Sequence, residues 1–132
     1  MNSFFVWGRV VAGLVFAYMG LFKIIRWTAT ADWMAMKGFP PSFIPILLVG
    51  AIAVELGGGL ALAFGYKTRW VAIGIALFLI PTNLMMHNFW TMPPQQAAAE
   101  QLSFLQNVII IGGLLALSAG SQQEKKQMIH VV

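Results

Sequence analysis

Glu55 is the residue whose position most clearly indicates chemistry, because it lies near the middle of a long apolar stretch, 43–66. An α-helix rises roughly 1.5 Å per residue, so this carboxyl group is expected about 16 Å from either end of the stretch, at the depth of the bilayer centre. An unpaired charge there costs at least about 2.5 kcal/mol. Glu55 is therefore expected to face the interior of a helix bundle. There it either belongs to a binding site or, as a neutral acid, bonds to another helix.

Two basic residues flank the first apolar stretch, and their spacing places them on one helical face. Arg9 and Lys23 alternate with Gly13, Phe16 and Gly20 at intervals of four and three residues, which is the spacing of an interior stripe. Both charges are therefore expected to face the bundle interior. The alternative is that each long side chain only extends to the nearer membrane interface.

The third and fourth apolar stretches supply an imidazole and two carboxamides. Asn83 and His87 are four residues apart on one face, and Asn107 enters the fourth stretch near the same side of the membrane. Histidine can exchange protons near neutral pH. With Lys23, Glu55 and, from the inner side, Arg9, these residues are predicted to line a pocket that opens outward. A histidine bonded to a backbone carbonyl or interfacial water is the alternative for His87.

Composition excludes several classes of protein. The chain has 132 residues, of which 59% are hydrophobic and only 9% charged, whereas charged residues make up about a quarter of an average soluble domain. Without cysteine, dithiol chemistry and a cysteine-zinc site are excluded. One histidine and one carboxylate within the apolar stretches are too few to predict a metal site. The net charge of +4 comes from cations at the edges of apolar stretches, so no nucleic-acid partner is expected.

These stretches predict an all-α integral membrane protein, a four-helix antiparallel bundle in a single transmembrane domain covering 1–132. The spans are expected at about 4–26, 43–66, 70–90 and 103–119, with a polar C-terminal tail at 120–132. In the fourth span, Gly112 and Gly113 are expected to allow close packing of a neighbouring helix.

A short interfacial helix is predicted between spans 1 and 2. Thr30 or Asp32 can cap its start, and Gly38 can end it before two prolines. The helix is amphipathic and too short to span, so Trp33 is expected to lie in a flap over the pocket.

The distribution of basic residues predicts that both termini are cytoplasmic. Four spans place five basic residues on the side of the termini and three on the other: Arg9, Lys67, Arg69, Lys125 and Lys126 against Lys23, Arg26 and Lys37.

A series of short motifs runs through nearly the whole chain: Gly8-Arg9 and Gly20-Leu21-Phe22-Lys23 in the first span, Val54-Glu55-Leu56-Gly57-Gly58 in the second, Gly65-Tyr66-Lys67-Thr68-Arg69 at a tight turn, His87-Asn88-Phe89-Trp90 after the third, and Phe104-Leu105-Gln106-Asn107 with Gly112-Gly113-Leu114-Leu115 in the fourth. In their order and spacing, these motifs resemble the DoxX family of small bacterial membrane proteins. Many relatives have lysine immediately before the asparagine of the fourth span, where this chain has Gln106.

The resemblance implies a multi-pass protein of the bacterial inner (cell) membrane that is a component of a redox- or quinone-linked or oxidative-stress system. A quinone, or another apolar ring ligand, would be held between Lys23, Glu55 and His87 while a redox partner protein supplies electrons. No residue is assigned a catalytic role, and membrane lipid is the other expected neighbour. Two alternatives stay open: a scaffold or assembly chaperone for a client membrane protein, and a small-solute transporter that surrounds its pathway as a homodimer.

Overall fold

The computed structural model describes residues 2–131, and all regular secondary structure in that range is helical. A π-helical segment, Ala53–Gly57, joins α3 to α4, and a 3-10 turn, Phe89–Thr91, precedes the last helix. The α-helices are α1 (Ser3–Ile25), α2 (Trp27–Met36), α3 (Ile44–Ile52), α4 (Gly58–Phe64), α5 (Thr68–Met86) and α6 (Pro94–Val131). Met1 and Val132, which the predicted domain includes, lie outside the described residues.

Four helical stretches are long and apolar enough to cross a membrane: Ser3–Ile25, Ile44–Phe64, Thr68–Thr91 and Pro94–Val131. The second of these, called the second span below, consists of α3, the π-helical segment and α4. All four contribute to one core of buried side chains, in which Phe16 of α1, Leu62 of α4 and Leu114 of α6 surround four residues of α5: Ala72, Ile75, Ala76 and Leu79. The predicted all-α membrane bundle is confirmed.

The closest helix packing occurs where α1 crosses the second span. A Cβ atom added to Gly13 would lie 2.5 Å from the backbone nitrogen of Ala63 and the carbonyl oxygen of Gly59, and one added to Gly20 would lie 2.5 Å from the backbone nitrogen of Leu56. Such distances leave no room for a side chain. The two backbones are in direct contact because these residues are glycine, as in other membrane helix pairs with small residues at the interface.

The turn between the second span and α5 is fixed by a glycine in the left-handed region. Gly65 has a φ of 79°, and the backbone N–H of Tyr66 donates to the carbonyl of Ala61 at 2.8 Å while that of Gly65 donates to Leu62 at 3.1 Å. This pair of bonds is a Schellman motif, which ends a helix by satisfying its last carbonyls. The tight connection predicted here is therefore formed by a defined turn.

The interfacial helix α2 is present, but its predicted cap was wrong. It begins at Trp27, with Arg26 alone separating it from α1, so Thr30 and Asp32 lie within the helix. The hydroxyl of Thr30 donates to the carbonyl of Arg26 at 2.9 Å, a bond that threonine makes inside helices. Gly38, with a φ of 90°, follows the helix as predicted.

Helix α6 is longer than predicted at both ends. It begins at Pro94 instead of near 103, and it continues through the predicted polar tail to Val131. Proline is favoured in the first turn of a helix, and the alanines, glutamines, glutamate and lysines on either side of the apolar stretch are good helix formers. Gly112 and Gly113 face outward with no other atom within 4 Å of a built Cβ. No helix among residues 2–131 therefore uses the close-packing site predicted at these glycines.

The glycine contacts lead to a first prediction. Gly59→Ala should lower the free energy of unfolding by about 1–3 kcal/mol, because a Cβ at this position would overlap the backbone nitrogen of Ala17 and overpacking a tight interface has a cost of this order. Thermal unfolding in detergent micelles measures the loss. Gly112→Ala is the matched control, since it adds the same methyl group in open space and should not destabilise. Equal melting temperatures for the two variants would contradict the described crossing.

Candidate functional site

An ion pair between Lys23 and Glu55 lies between α1 and the second span. The distance from Nζ of Lys23 to Oε2 of Glu55 is 2.7 Å, and the side chains are 24% and 3% exposed, respectively. A contact this short between an ammonium group and a carboxylate is charge-assisted, and within residues 2–131 no other donor bonds to Oε2. A carboxylate can accept about four hydrogen bonds. Glu55 therefore keeps acceptor capacity that the described residues do not use.

The glycine crossing brings this pair together. Gly20 lies against Leu56, and Lys23 follows three residues later on the same face of α1, next to Glu55. The interior stripe predicted for α1 is confirmed at Gly13, Phe16 and Gly20, which are all buried.

Glu55 lies in the middle of the π-helical segment Ala53–Gly57. A π-helical turn contains an extra residue relative to an α-helical turn, and such segments occur frequently at functional sites. The segment was not predicted, because the sequence around Glu55 is uniformly apolar and small and no periodicity marks an extra residue.

The ion pair lies near the end of α1 but in the middle of the second span. Lys23 is two residues from the end of α1, so the carboxyl group of Glu55 is level with the last turn of that helix. The first turns of α3 extend further, and Ile44 and Leu48 pack there against Met34 of α2. The interfacial helix is thus held against α3, on the side of the ion pair where α1 has ended.

Two asparagines connect α5 to α6. Nδ2 of Asn107 donates to Oδ1 of Asn83 at 3.0 Å, and Nδ2 of Asn83 donates to the carbonyl of Phe104 at 3.1 Å. Asn83 is only 3% exposed. Each carboxamide thus has a partner on the neighbouring helix, which removes the cost of an unsatisfied polar group in an apolar medium.

His87 has a partner that the sequence analysis missed. Its Nδ1 lies 2.9 Å from Oε2 of Glu100, and both side chains are partly exposed. Glu100 lies between the spans predicted at 70–90 and 103–119, and the pairing becomes predictable only once α6 is known to begin before it. Within the described range, no hydrogen bond or ion pair links His87 to Lys23 or Glu55.

Trp33 is covered by a cation. Nζ of Lys37 lies 5.0 Å from the centroid of the Trp33 ring and donates to Oδ1 of Asn88 at 2.8 Å. Lys37 thereby ties the end of α2 to the segment after α5. Contact between α2 and the α5–α6 connection was not predicted.

Arg9 lies at the opposite end of the second span from α2. Its guanidinium group is in direct contact with the site of a Cβ on Gly65. Gly65 is ten residues from Glu55, which corresponds to about 15 Å along a helix. Of the seven predicted site residues, the structure therefore pairs Lys23 with Glu55 and Asn83 with Asn107, and it places His87, Trp33 and Arg9 beside other partners. Their convergence in one pocket stays a prediction.

Four apolar spans with polar pairs between them define a multi-pass integral membrane protein. A family model described as DoxX matches residues 4–88, a range that includes the ion pair and the turn at Gly65. The chain belongs to the DoxX family.

Three relatives of the chain are named as membrane or vesicle proteins. The chain is 30% identical to the inner membrane protein YqjF of Escherichia coli (strain K12), over 83% of this chain and 78% of the relative. It is 24% identical to the inner membrane protein YphA of the same organism, over 83% and 77%. It is 33% identical to the ER-derived vesicles protein ERV29 of Saccharomyces cerevisiae (strain ATCC 204508 / S288c), over 58% of this chain and 26% of the relative. No solved structure matches the chain significantly.

A double-mutant cycle tests the ion pair. Lys23→Met should destabilise the protein by about 3–5 kcal/mol, because it leaves a buried carboxylate without its cation. Lys23→Met combined with Glu55→Gln should recover much of that loss, so the two effects should be strongly non-additive. Unfolding in detergent micelles measures the two single variants, Lys23→Met and Glu55→Gln, and the double variant, with Arg26→Met, which removes an exposed cation, as the control. Additive losses would show that the two side chains do not interact.

The asparagine pair yields a separate prediction. Asn107→Leu should cost about 0.6–2 kcal/mol, the range measured for hydrogen bonds between membrane helices, because Oδ1 of Asn83 loses its donor. Gln106→Leu removes a carboxamide of the adjacent residue, which is exposed, and should have little effect. Comparison of the two unfolding free energies checks the pair, and an equal loss in both variants would contradict it.

Proposed function

We propose that the Lys23–Glu55 pair binds the oxygen-bearing head group of a lipophilic ring compound, a quinone in the first instance. The chain would then be the membrane component of a redox- or quinone-linked or oxidative-stress system. One observation carries the proposal: a carboxylate that is 3% exposed contacts Lys23 at 2.7 Å, and within residues 2–131 its Oε2 bonds to no other donor. Intramembrane ionisable residues of this kind commonly mark ligand or proton pathways.

The two side chains suit both oxidation states of a quinone. The ammonium group of Lys23 has three N–H donors and no acceptor, so it can donate to a quinone carbonyl. The carboxylate of Glu55 only accepts, so it can receive the hydroxyl proton of a quinol in a hydrogen bond. An apolar ring would be surrounded by the lipid-facing side chains that flank the pair.

This proposal assigns to the chain the binding of the head group, and to a partner redox protein the supply of electrons. Reduction of a quinone to a quinol takes up two electrons from that partner and two protons. Lys23 is the more exposed member of the pair, so the protons would enter from water through its ammonium group. The polar contacts of His87 and Asn83 then serve to hold α5 against α6 instead of forming the binding site.

A scaffold or assembly chaperone is the second candidate function. It is favoured by the similarity to a yeast relative named as an ER-derived vesicles protein. In this case the polar contacts stabilise the bundle, and a client membrane protein binds to its outer surface. For either function we propose that both termini face the cytoplasm. Four spans place five of the eight lysines and arginines on the side of the termini, and basic residues are enriched on the cytoplasmic side of membrane proteins.

Binding of a short-chain quinone and its quinol to the purified protein tests the proposal. We expect Glu55→Gln to weaken quinol binding by about tenfold, because loss of a charge-assisted hydrogen bond is worth roughly 1.5 kcal/mol, and to weaken quinone binding less. The Lys23→Met/Glu55→Gln variant should bind neither form. Quenching of tryptophan fluorescence measures both ligands in detergent micelles.

Glu100→Gln is the matched control, because it removes the carboxylate that pairs with His87 and should leave both affinities unchanged. Equal affinities in the wild-type protein and the double variant would contradict the quinone site. A membrane protein that copurifies equally well with both would then favour the scaffold.

A further inference from the structure

A cavity of about 530 Å³ lies at the other end of the bundle from α2, between the start of α5 and the last part of α6. The start of α1 is near it, since the backbone N–H of Asn2 donates to Oε1 of Glu124 at 2.8 Å. The cavity plays no part in the function proposed above.

Positive charge dominates the lining of this cavity. Two cations come from the turn before α5 and its first residues, and two from α6: Lys67, Arg69, Lys125 and Lys126. None of the lining residues is acidic. Among residues 2–131, none of these four cations forms an ion pair, because the two pairs found there involve Lys23 and His87. Four like charges around one cavity repel each other, and a bound anion relieves that repulsion.

Arg69 is held in place at the wall of the cavity. Its guanidinium carbon lies 4.9 Å from the centroid of the Trp70 ring. With the amide of Gln122 oriented so that its oxygen faces the guanidinium group, Nε and Nη2 of Arg69 each lie 3.0 Å from that oxygen, and Nη1 is in direct contact with it. Because Gln122 uses these donors, a bound anion would take the place of its amide oxygen, and the guanidinium group could then donate to two phosphate oxygens.

Lys67 adds a backbone observation at the same wall. It is the described non-glycine residue with a positive φ, 43°, a conformation that is uncommon for a lysine. Such strained positions occur preferentially at ligand-binding sites.

We propose that this cavity binds a phosphate-bearing anion, and that the anion is the head group of an acidic phospholipid. Trp70 indicates the depth, since tryptophan side chains in membrane proteins lie at the level of the head groups. Basic pockets between membrane helices on the cytoplasmic side bind such head groups. The volume accommodates a glycerophosphate group together with water. A soluble phosphate would use the same donors, so the experiment separates the two sources.

Native mass spectrometry of the full chain tests the site with two probes. Phosphatidylglycerol, with phosphatidylcholine as the neutral-lipid comparison, is added in one arm, and inorganic phosphate in the other. We expect the wild-type protein to retain phosphatidylglycerol preferentially. Arg69→Gln and Lys125→Gln/Lys126→Gln should each reduce that retention by roughly fivefold or more, given the contribution of a single basic residue near an acidic membrane surface.

Arg26→Gln is the matched control, because it removes one exposed cation at the opposite end of the bundle. It should leave the preference for phosphatidylglycerol unchanged. Saturable binding of inorganic phosphate that is lost in Arg69→Gln would support the anion site with a soluble source. The proposal is overturned if neither probe binds preferentially, or if Arg26→Gln lowers retention as much as Arg69→Gln does. Melting temperatures of the variants show whether a loss of lipid retention reflects misfolding. Quinone binding at the Lys23–Glu55 pair is tested separately, so failure of the anion site leaves that proposal unchanged.

Discussion

Direct contact between the backbones of α1 and the second span is the constraint on which the rest of the structure depends. Lipid chains are as apolar as leucine, so membrane helices gain little from burying apolar surface and associate instead through close van der Waals contact. Gly13, Gly20 and Gly59 allow that contact because a Cβ at any of them would overlap the opposing backbone. The contact also sets the register of the two helices. Lys23 reaches Glu55 only because Gly20 lies against Leu56 one turn earlier.

The ion pair contributes less to the stability of the fold than the glycine crossing does. Removing two charges from water costs free energy that their attraction only partly offsets, and well-packed apolar residues in place of such a pair are often neutral or stabilising. A bundle that already packs by backbone contact therefore does not need Lys23 and Glu55 for stability. The asparagine pair and the His87–Glu100 contact differ, since they connect two helices whose polar groups satisfy each other. This contrast is the reason for assigning ligand binding to the first pair alone.

Sequence reasoning predicted the features that depend on spacing within one helix. The four spans, the buried face of α1 and the interfacial helix all follow from local periodicity and composition. Features that depend on the approach of two segments were missed. Glu100 pairs with His87 only because α6 begins earlier than the apolar stretch. Gly112 faces outward, although glycine is typical of interfaces between membrane helices. The π-helical turn at Glu55 left no trace in the sequence, because residues on both sides are apolar on every face.

Helix α6 has a length that bears on the surroundings of the protein. Its 38 residues give an axial length of about 57 Å, nearly twice the roughly 30 Å thickness of the hydrocarbon layer. Glu124 is still level with the start of α1, where it binds Asn2, and seven described residues follow it as continuous helix. These residues form a helical extension that projects about 10 Å beyond the bundle. Met128 and Ile129 are exposed on the last described turn. Because the helix is continuous, any molecule that binds these side chains is held at a fixed distance and orientation relative to the bundle.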